Sequence, residues 1–321
     1  MGYGEYSHEA HMTLTAARRT LPRQAVFSQR DCHPLMSPKG VRSRECRDSA
    51  EHPATLPIAF ALDVTGSMGD IPDLLARQEL PTFMKVLLAL GIADPQVLFM
   101  AVGDATCDRA PLQVGQFEAT AELMDQWLTY SFIEGGGGGQ NKESYELALY
   151  FLAEHTTLEA MENRGHAGYA FLTGDELPYP AVSRHEVEAI IGDRLDDDVP
   201  TEQVIAAVAR SYRPFFLIPD IDRGARCEGR WRELLGDHVI TMESPRDTCF
   251  VAAGIVGISE GLVADLDQLA RLLEDGGTDR ERIAATVRAL TPYAQTLARD
   301  AAPHPKGLAE ASASLWRSLW R

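Results

Sequence analysis

Cysteine is sparse: five residues, Cys32, Cys46, Cys107, Cys227 and Cys249, are odd in number and widely scattered. No C-x-x-C pair occurs, which argues against a zinc site or a disulfide framework and fits a reducing cytoplasm. Long apolar runs are missing too. None approaches the roughly 20 residues needed to cross a bilayer, so no membrane partner is expected, and the first residues hold no apolar stretch of the secretory kind. Positive charge is also short: 30 Lys and Arg stand against 47 Asp and Glu, a formal net charge of −17. The deficit is uneven, because residues 1–50 carry a net +3 and the remainder −20. So acidic a body argues against nucleic acid as the main partner. The 321 residues suffice for one large core with a small appendage.

What is present centres on Leu56 to Met68, Leu-Pro-Ile-Ala-Phe-Ala-Leu-Asp-Val-Thr-Gly-Ser-Met. The uninterrupted apolar run from Ile58 to Leu62 suits a strand buried on both faces of a parallel sheet. It ends in Asp63, Thr65 and Ser67 at alternate positions, placing one carboxylate and two hydroxyls at a strand's carboxyl end. Open α/β sheets put their sites there, and hard oxygen ligands suit Mg²⁺, with Mn²⁺ or Ca²⁺ as alternatives.

This Asp-x-Thr-x-Ser pattern after a buried strand resembles the metal-ion-dependent adhesion site of von Willebrand factor type A domains. The resemblance covers roughly residues 55–263. It implies an α/β, Rossmann-like fold: a mostly parallel central sheet with one antiparallel edge strand, flanked by helices. It divides the chain into an N-terminal arm (1–55), the domain itself (56–263) and a helical C-terminal extension (264–321).

The resemblance also implies two further ligand loops. Gly135 to Gly139 precede Gln140-Asn-Lys-Glu-Ser-Tyr. A phosphate-binding loop needs Gly before the Lys and Ser or Thr after it. Asn141 and Glu143 flank Lys142 instead, and a carboxylate there would repel phosphate. In the metal-site reading Gln140 falls at the second-loop ligand position, with Asn141 beside it. Either offers an amide oxygen, directly or through water, or the ligand is lost. The third loop is Thr173-Gly-Asp175, where the family usually has Thr-Asp-Gly. Asp175 is the expected ligand, with Thr173 and Glu176 as fallbacks. The expected metal set is thus Asp63, Thr65, Ser67, Gln140 and Asp175.

Other segments read more simply. Tyr6 to Arg19 suits a helix, and 31–57, with four prolines, an extended arm over a sheet edge or the site rim. Residues 71–90 have helical spacing, with Pro81 predicting a kink and Gly91 the end. Asp104 and Asp108 read as a solvated turn, or else as neighbours of the metal. Tyr145, Leu149 and Leu152 form one side of a helix over 143–155. The acidic run Asp193 to Asp198 closes a proline-flanked insertion, read as a solvated loop or a partner-selecting rim. Residues 202–212 read as helix and 214–218 as strand. Lone His238 reads as structural. The chain ends in Ser-Leu-Trp-Arg twice, stacking Trp316 on Trp320 for self-association or docking.

The leading expectation is a Mg²⁺-dependent protein-interaction module, a cytoplasmic bacterial adaptor or assembly factor. Its metal would take a carboxylate from a protein partner. The resemblance makes an AAA+ ATPase or another component of a multi-gene system the expected company. Two other classes compete. One is a Mg²⁺-dependent phosphohydrolase using Asp63 as nucleophile, although Thr65 stands where such enzymes want a second Asp. The other is a structural assembly protein with a vestigial metal site.

Overall fold

The computed structural model describes residues 4–66, 68, 70–134 and 141–301. Ser67, Gln140, Trp316 and Trp320 lie outside the described residues.

Six strands form the central sheet: β1 (Thr55–Asp63), β2 (Asp94–Val102), β3 (Leu112–Val114), β4 (Gly168–Thr173), β5 (Tyr212–Ile218) and β6 (Val239–Thr241). Their order is β6-β5-β4-β1-β2-β3. All pair in parallel except edge strand β3, which is antiparallel to β2. This is the mixed α/β architecture expected from the sequence. The apolar run that ends in Asp63 is its centre: β1 lies between β2 and β4, and every residue of β1 is buried.

Successive side chains point to opposite faces of a strand, so the sheet has two cores. On one face Phe99, Phe60, Phe171 and Phe215 stand in register across four strands. Neighbouring ring centroids are 5.3–5.9 Å apart. This face is covered by helices α1 (His8–Arg18), α2 (Leu80–Leu90) and α3 (Ala121–Thr129), and by the later helices α7 (Thr248–Ser259), α8 (Leu266–Asp275) and α9 (Arg280–Ala301). On the other face Ala59, Ala61, Leu98, Met100, Ala170 and Leu172 meet α4 (Tyr145–Glu154), α5 (Thr201–Val208) and α6 (Glu228–Leu235).

The expected kink at Pro81 takes a specific form. A short helix (Asp70–Leu74) widens into a π turn (Leu75–Glu79), and Pro81 then sits in the first turn of α2. Its missing N–H costs nothing there. Gly91 ends α2 in the left-handed region at φ 97°. The arm forms a short strand (Arg44–Cys46) parallel to Thr156–Leu158, and Arg44 Nη2 donates to the Val114 carbonyl of β3 at 3.2 Å.

Several expectations need correction. The helix expected over 202–212 stops at Val208, because Tyr212 already pairs with Gly168 in the sheet. Lys142–Glu143 is a strand paired with Leu177–Pro178, so α4 begins only at Tyr145. The insertion after it is built rather than loose. Ala181–Val182 pairs with Val199–Pro200, and Asp193 Oδ2 accepts from Tyr150 Oη at 2.8 Å and lies 2.6 Å from His155 Nε2. His238 is structural as expected: its Nδ1 lies 3.0 Å from the Pro214 carbonyl and its ring stacks on Phe215.

Candidate metal centre

From β1 the chain first builds outward through β2 and β3, then crosses to the other side of β1 to form β4. The reversal falls between β1 and β4, and ligands of open α/β sheets bind at such switch points, beyond the strands' carboxyl ends. Asp63 ends β1 and Thr173 ends β4.

The Asp63 carboxylate is wholly buried. Its Oδ1 accepts from the Thr65 amide at 2.9 Å and from Thr65 Oγ1 at 2.6 Å. Its Oδ2 accepts from Tyr145 Oη at 2.7 Å. Burial pushes its pKa up to about 6, and the nearby Asp175 carboxylate adds to that rise; the three hydrogen bonds oppose it. Thr65 spends its proton on Asp63 and keeps oxygen lone pairs for another acceptor role. Asp175 is buried too, with Arg223 Nη1 4.0 Å from its Oδ2. The side chains of Asp63, Thr65 and Asp175 therefore gather at one edge. Asn141, beside Gln140, is exposed, and its backbone carbonyl accepts from the Leu177 amide at 3.2 Å.

Sequence reasoning missed two members. Tyr145 reads as a core residue, yet its hydroxyl serves Asp63, while its ring packs edge-on against Phe216 and Trp231. Gly174 is the signal that was available. A Cβ at this position would lie 1.9 Å from Tyr145 Oη and 2.5 Å from its Cζ. The Thr-Gly-Asp order thus leaves room for the phenol. The second missed residue is Glu143, at 6% exposure. Its Oε2 is buried without a hydrogen-bond partner. Burial pushes its pKa up to about 9, and the carboxylates of Asp63, Asp108, Asp104 and Glu176 add to the rise in that order. The Thr173 hydroxyl, a fallback ligand in the sequence, likewise has its Oγ1 buried and unpartnered.

Asp104 is not part of a solvated turn. It is 2% exposed, and its Oδ1 accepts from the Thr106 amide (2.9 Å), Thr106 Oγ1 (2.8 Å) and Tyr179 Oη (3.0 Å). Asp108 Oδ2 accepts from the Asp104 amide at 2.7 Å.

The donor set is one of hard oxygens, and two of them, Thr173 Oγ1 and Glu143 Oε2, lack the partner that buried polar atoms normally have. That chemistry fits a hard divalent cation. Among the described residues, no three His, Cys, Asp or Glu side chains form a metal-holding group by themselves.

No family model matches the chain, and no curated protein matches it. Solved structures similar to it include the open form of the pilus adhesin SpaC from Lactobacillus rhamnosus GG, at 11% identity and a TM-score of 0.43, covering 69% of this chain and 31% of that one. Another is a von Willebrand factor type A structure from Catenulispora acidiphila, at 13% identity and TM-score 0.39, covering 65% of this chain and 43% of that one. A third is the von Willebrand factor domain of the type V pilus tip protein Mfa5 from Porphyromonas gingivalis, at 9% identity and TM-score 0.40, covering 65% and 97%. The chain thus spans about a third of the adhesin's length and under half of the Catenulispora protein's.

Proposed function

We propose that this chain is a metal-dependent protein-interaction module of the von Willebrand factor type A kind, which binds a partner carboxylate over the β1–β4 edge. The observation that carries the reading is the gathering of Asp63, Thr65 and Asp175 at the switch point, beside the unpartnered Thr173 Oγ1. Asp63, Thr65, Thr173 and Asp175 would hold Mg²⁺, or Mn²⁺ or Ca²⁺, and Ser67 and Gln140 belong to the proposed set from the sequence.

A bound cation of this type supplies an electrophilic position that an outside oxygen can fill. The chain's own residues do the rest. Thr65 and Tyr145 fix the Asp63 carboxylate by three donated hydrogen bonds. The neutral hydroxyls add ligands without adding negative charge, so a cation would stay attractive to a partner's Asp or Glu. Burial of the carboxylates keeps them from swinging out to solvent.

Calorimetric titration with MgCl₂ tests the reading. Wild type is expected to bind one equivalent, while Asp63→Ala and Asp175→Asn each lose binding at least tenfold, about 1.4 kcal/mol. A Glu-bearing peptide is then expected to bind in Mg²⁺ and be released by EDTA. Wild type that takes up no divalent cation would sink the proposal.

A further inference from the structure

We infer that the helical face of the molecule holds a second ligand site, for a small organic oxyanion with a phosphate or carboxylate head and a short apolar body. The site is a cavity of about 410 Å³ between α1, the π turn, α2, α7 and the turn joining α8 to α9. That volume lies in the range of small-molecule pockets. None of the residues at the β1–β4 edge lines it.

Charge argues for the oxyanion. Arg19, Lys85, Arg246 and Arg282 line the cavity against two carboxylates, Glu79 and Asp279, in a chain whose net charge is −17. Both carboxylates are already engaged. Glu79 is buried and accepts from Arg282 Nη2 at 3.0 Å. Asp279 Oδ1 caps α9 by accepting from the Arg282 amide at 3.0 Å. Of the cations, Arg282 is committed, since besides Glu79 it donates to Asp247 Oδ1 at 3.4 Å and to the Arg246 carbonyl, but the other three are less so. The guanidinium groups of Arg19 and Arg246 make no hydrogen bond or ion pair among the described residues. Lys85 Nζ makes one hydrogen bond, to the Gly276 carbonyl at 3.2 Å.

Two further features belong to the same lining. His8 lines the cavity, and its Nδ1 is buried without a hydrogen-bond partner. Part of the lining is apolar, with Val86, Leu272 and the Phe250 ring, over which the Arg282 guanidinium stands at 4.4 Å. The π turn adds Gln78 and Glu79 to the lining, and such turns occur often at functional sites. Head group and body are thus both provided for.

Calorimetry in EDTA with phenyl phosphate, benzoate, inorganic phosphate and phenol tests the assignment. Phenyl phosphate or benzoate should bind, inorganic phosphate more weakly, and phenol not at all. Arg19→Gln/Arg246→Gln, at two exposed positions, should weaken binding about tenfold, because charge-assisted hydrogen bonds to the oxyanion are lost. Asp63→Ala should bind as wild type does. The inference falls if neither oxyanion binds at millimolar concentration, if the double variant binds unchanged, or if Asp63→Ala abolishes binding. The last result would move the ligand to the metal edge.

Discussion

Tyr145 and Asp63 lie 82 residues apart in sequence and are joined by a 2.7 Å hydrogen bond, with the phenol donating to carboxylate Oδ2. Both side chains are fully buried. The bond links the first turn of α4 to the end of β1, and so ties the helix after the glycine run to the candidate site. Tyr145→Phe keeps the ring in place and removes only the donor. Because the acceptor then stays buried without that partner, unfolding in urea should show a loss of about 1.5–3 kcal/mol. A loss below about 0.5 kcal/mol would mean that the hydroxyl is replaceable by water.

Gly174 depends on the same ring. Its backbone is outside the left-handed region, so its need for glycine is steric: an added Cβ would meet Tyr145 Oη at 1.9 Å and Cζ at 2.5 Å. Gly174→Ala should therefore destabilise by at least about 2 kcal/mol, as overpacking does. In a Tyr145→Ala background the clash is gone and the same change should cost far less. A double-mutant cycle reads this as a coupling of about 1 kcal/mol or more. Additive losses would place the cost of the alanine elsewhere.

The central strand was legible because a buried parallel strand needs nothing more than a continuous apolar run, and Ile58 to Leu62 is one. Gly91 and Pro81 marked helix boundaries because their backbones allow little else. Tyr145 and Glu143 were not legible as site residues. In the sequence they are a helix-face aromatic and a charge beside a lysine, and only the pairing of 142–143 with 177–178 carries Glu143 inward. Asp104 was misread for a similar reason. Its burial is settled by Tyr179, 75 residues away, and no local pattern records such a contact.

Glu143 gives a prediction of its own. Its buried, unpartnered Oε2 faces the charges of Asp63 and three other carboxylates. Glu143→Gln removes that conflict, so in EDTA the variant should melt at or above the wild-type temperature. On adding millimolar Mg²⁺ the wild type should gain more, since a cation bound only by the folded form stabilises in proportion to its affinity. Equal Mg²⁺-induced shifts in the two proteins would exclude Glu143 from the metal's surroundings.

Glu146 supplies a pH signature. It is fully buried, its Oε1 has no partner, and burial pushes its pKa up to about 8. The unfolded chain releases this proton near pH 4.5, whereas the folded chain keeps it until about pH 8. Its contribution to stability is therefore fully present below pH 4.5 and is lost as pH rises to about 8. Glu146→Gln lacks this loss. The stability difference should move in the variant's favour across that interval and then level off, by up to about 5 kcal/mol. A difference independent of pH would show that Glu146 ionises as freely when folded as when unfolded.

The C-terminal helices can be tested as part of the same core. Among the described residues no sheet strand follows β6, yet Leu269 and Leu273 of α8 and Ile283, Leu290 and Tyr293 of α9 are buried in one cluster with Phe60, Phe171 and Phe215. Tyr293 meets the Phe215 ring edge-on at 5.2 Å, and its hydroxyl lies 2.8 Å from Ser259 Oγ. Helix α7 is apolar on nearly every side, as a helix covered all round must be. Its Gly254 sits so close to α9 that an added Cβ would lie 2.5 Å from Leu290 Cδ1. A chain cut after Val263 would bare this surface of α7, and the truncated protein should aggregate or unfold non-cooperatively. Leu290→Ala in the full chain is the milder version, with an expected loss of about 2–5 kcal/mol for a large-to-small change in a packed core. A soluble 56–263 fragment with a cooperative melt would show instead that the sheet and its nearer helices fold without α8 and α9.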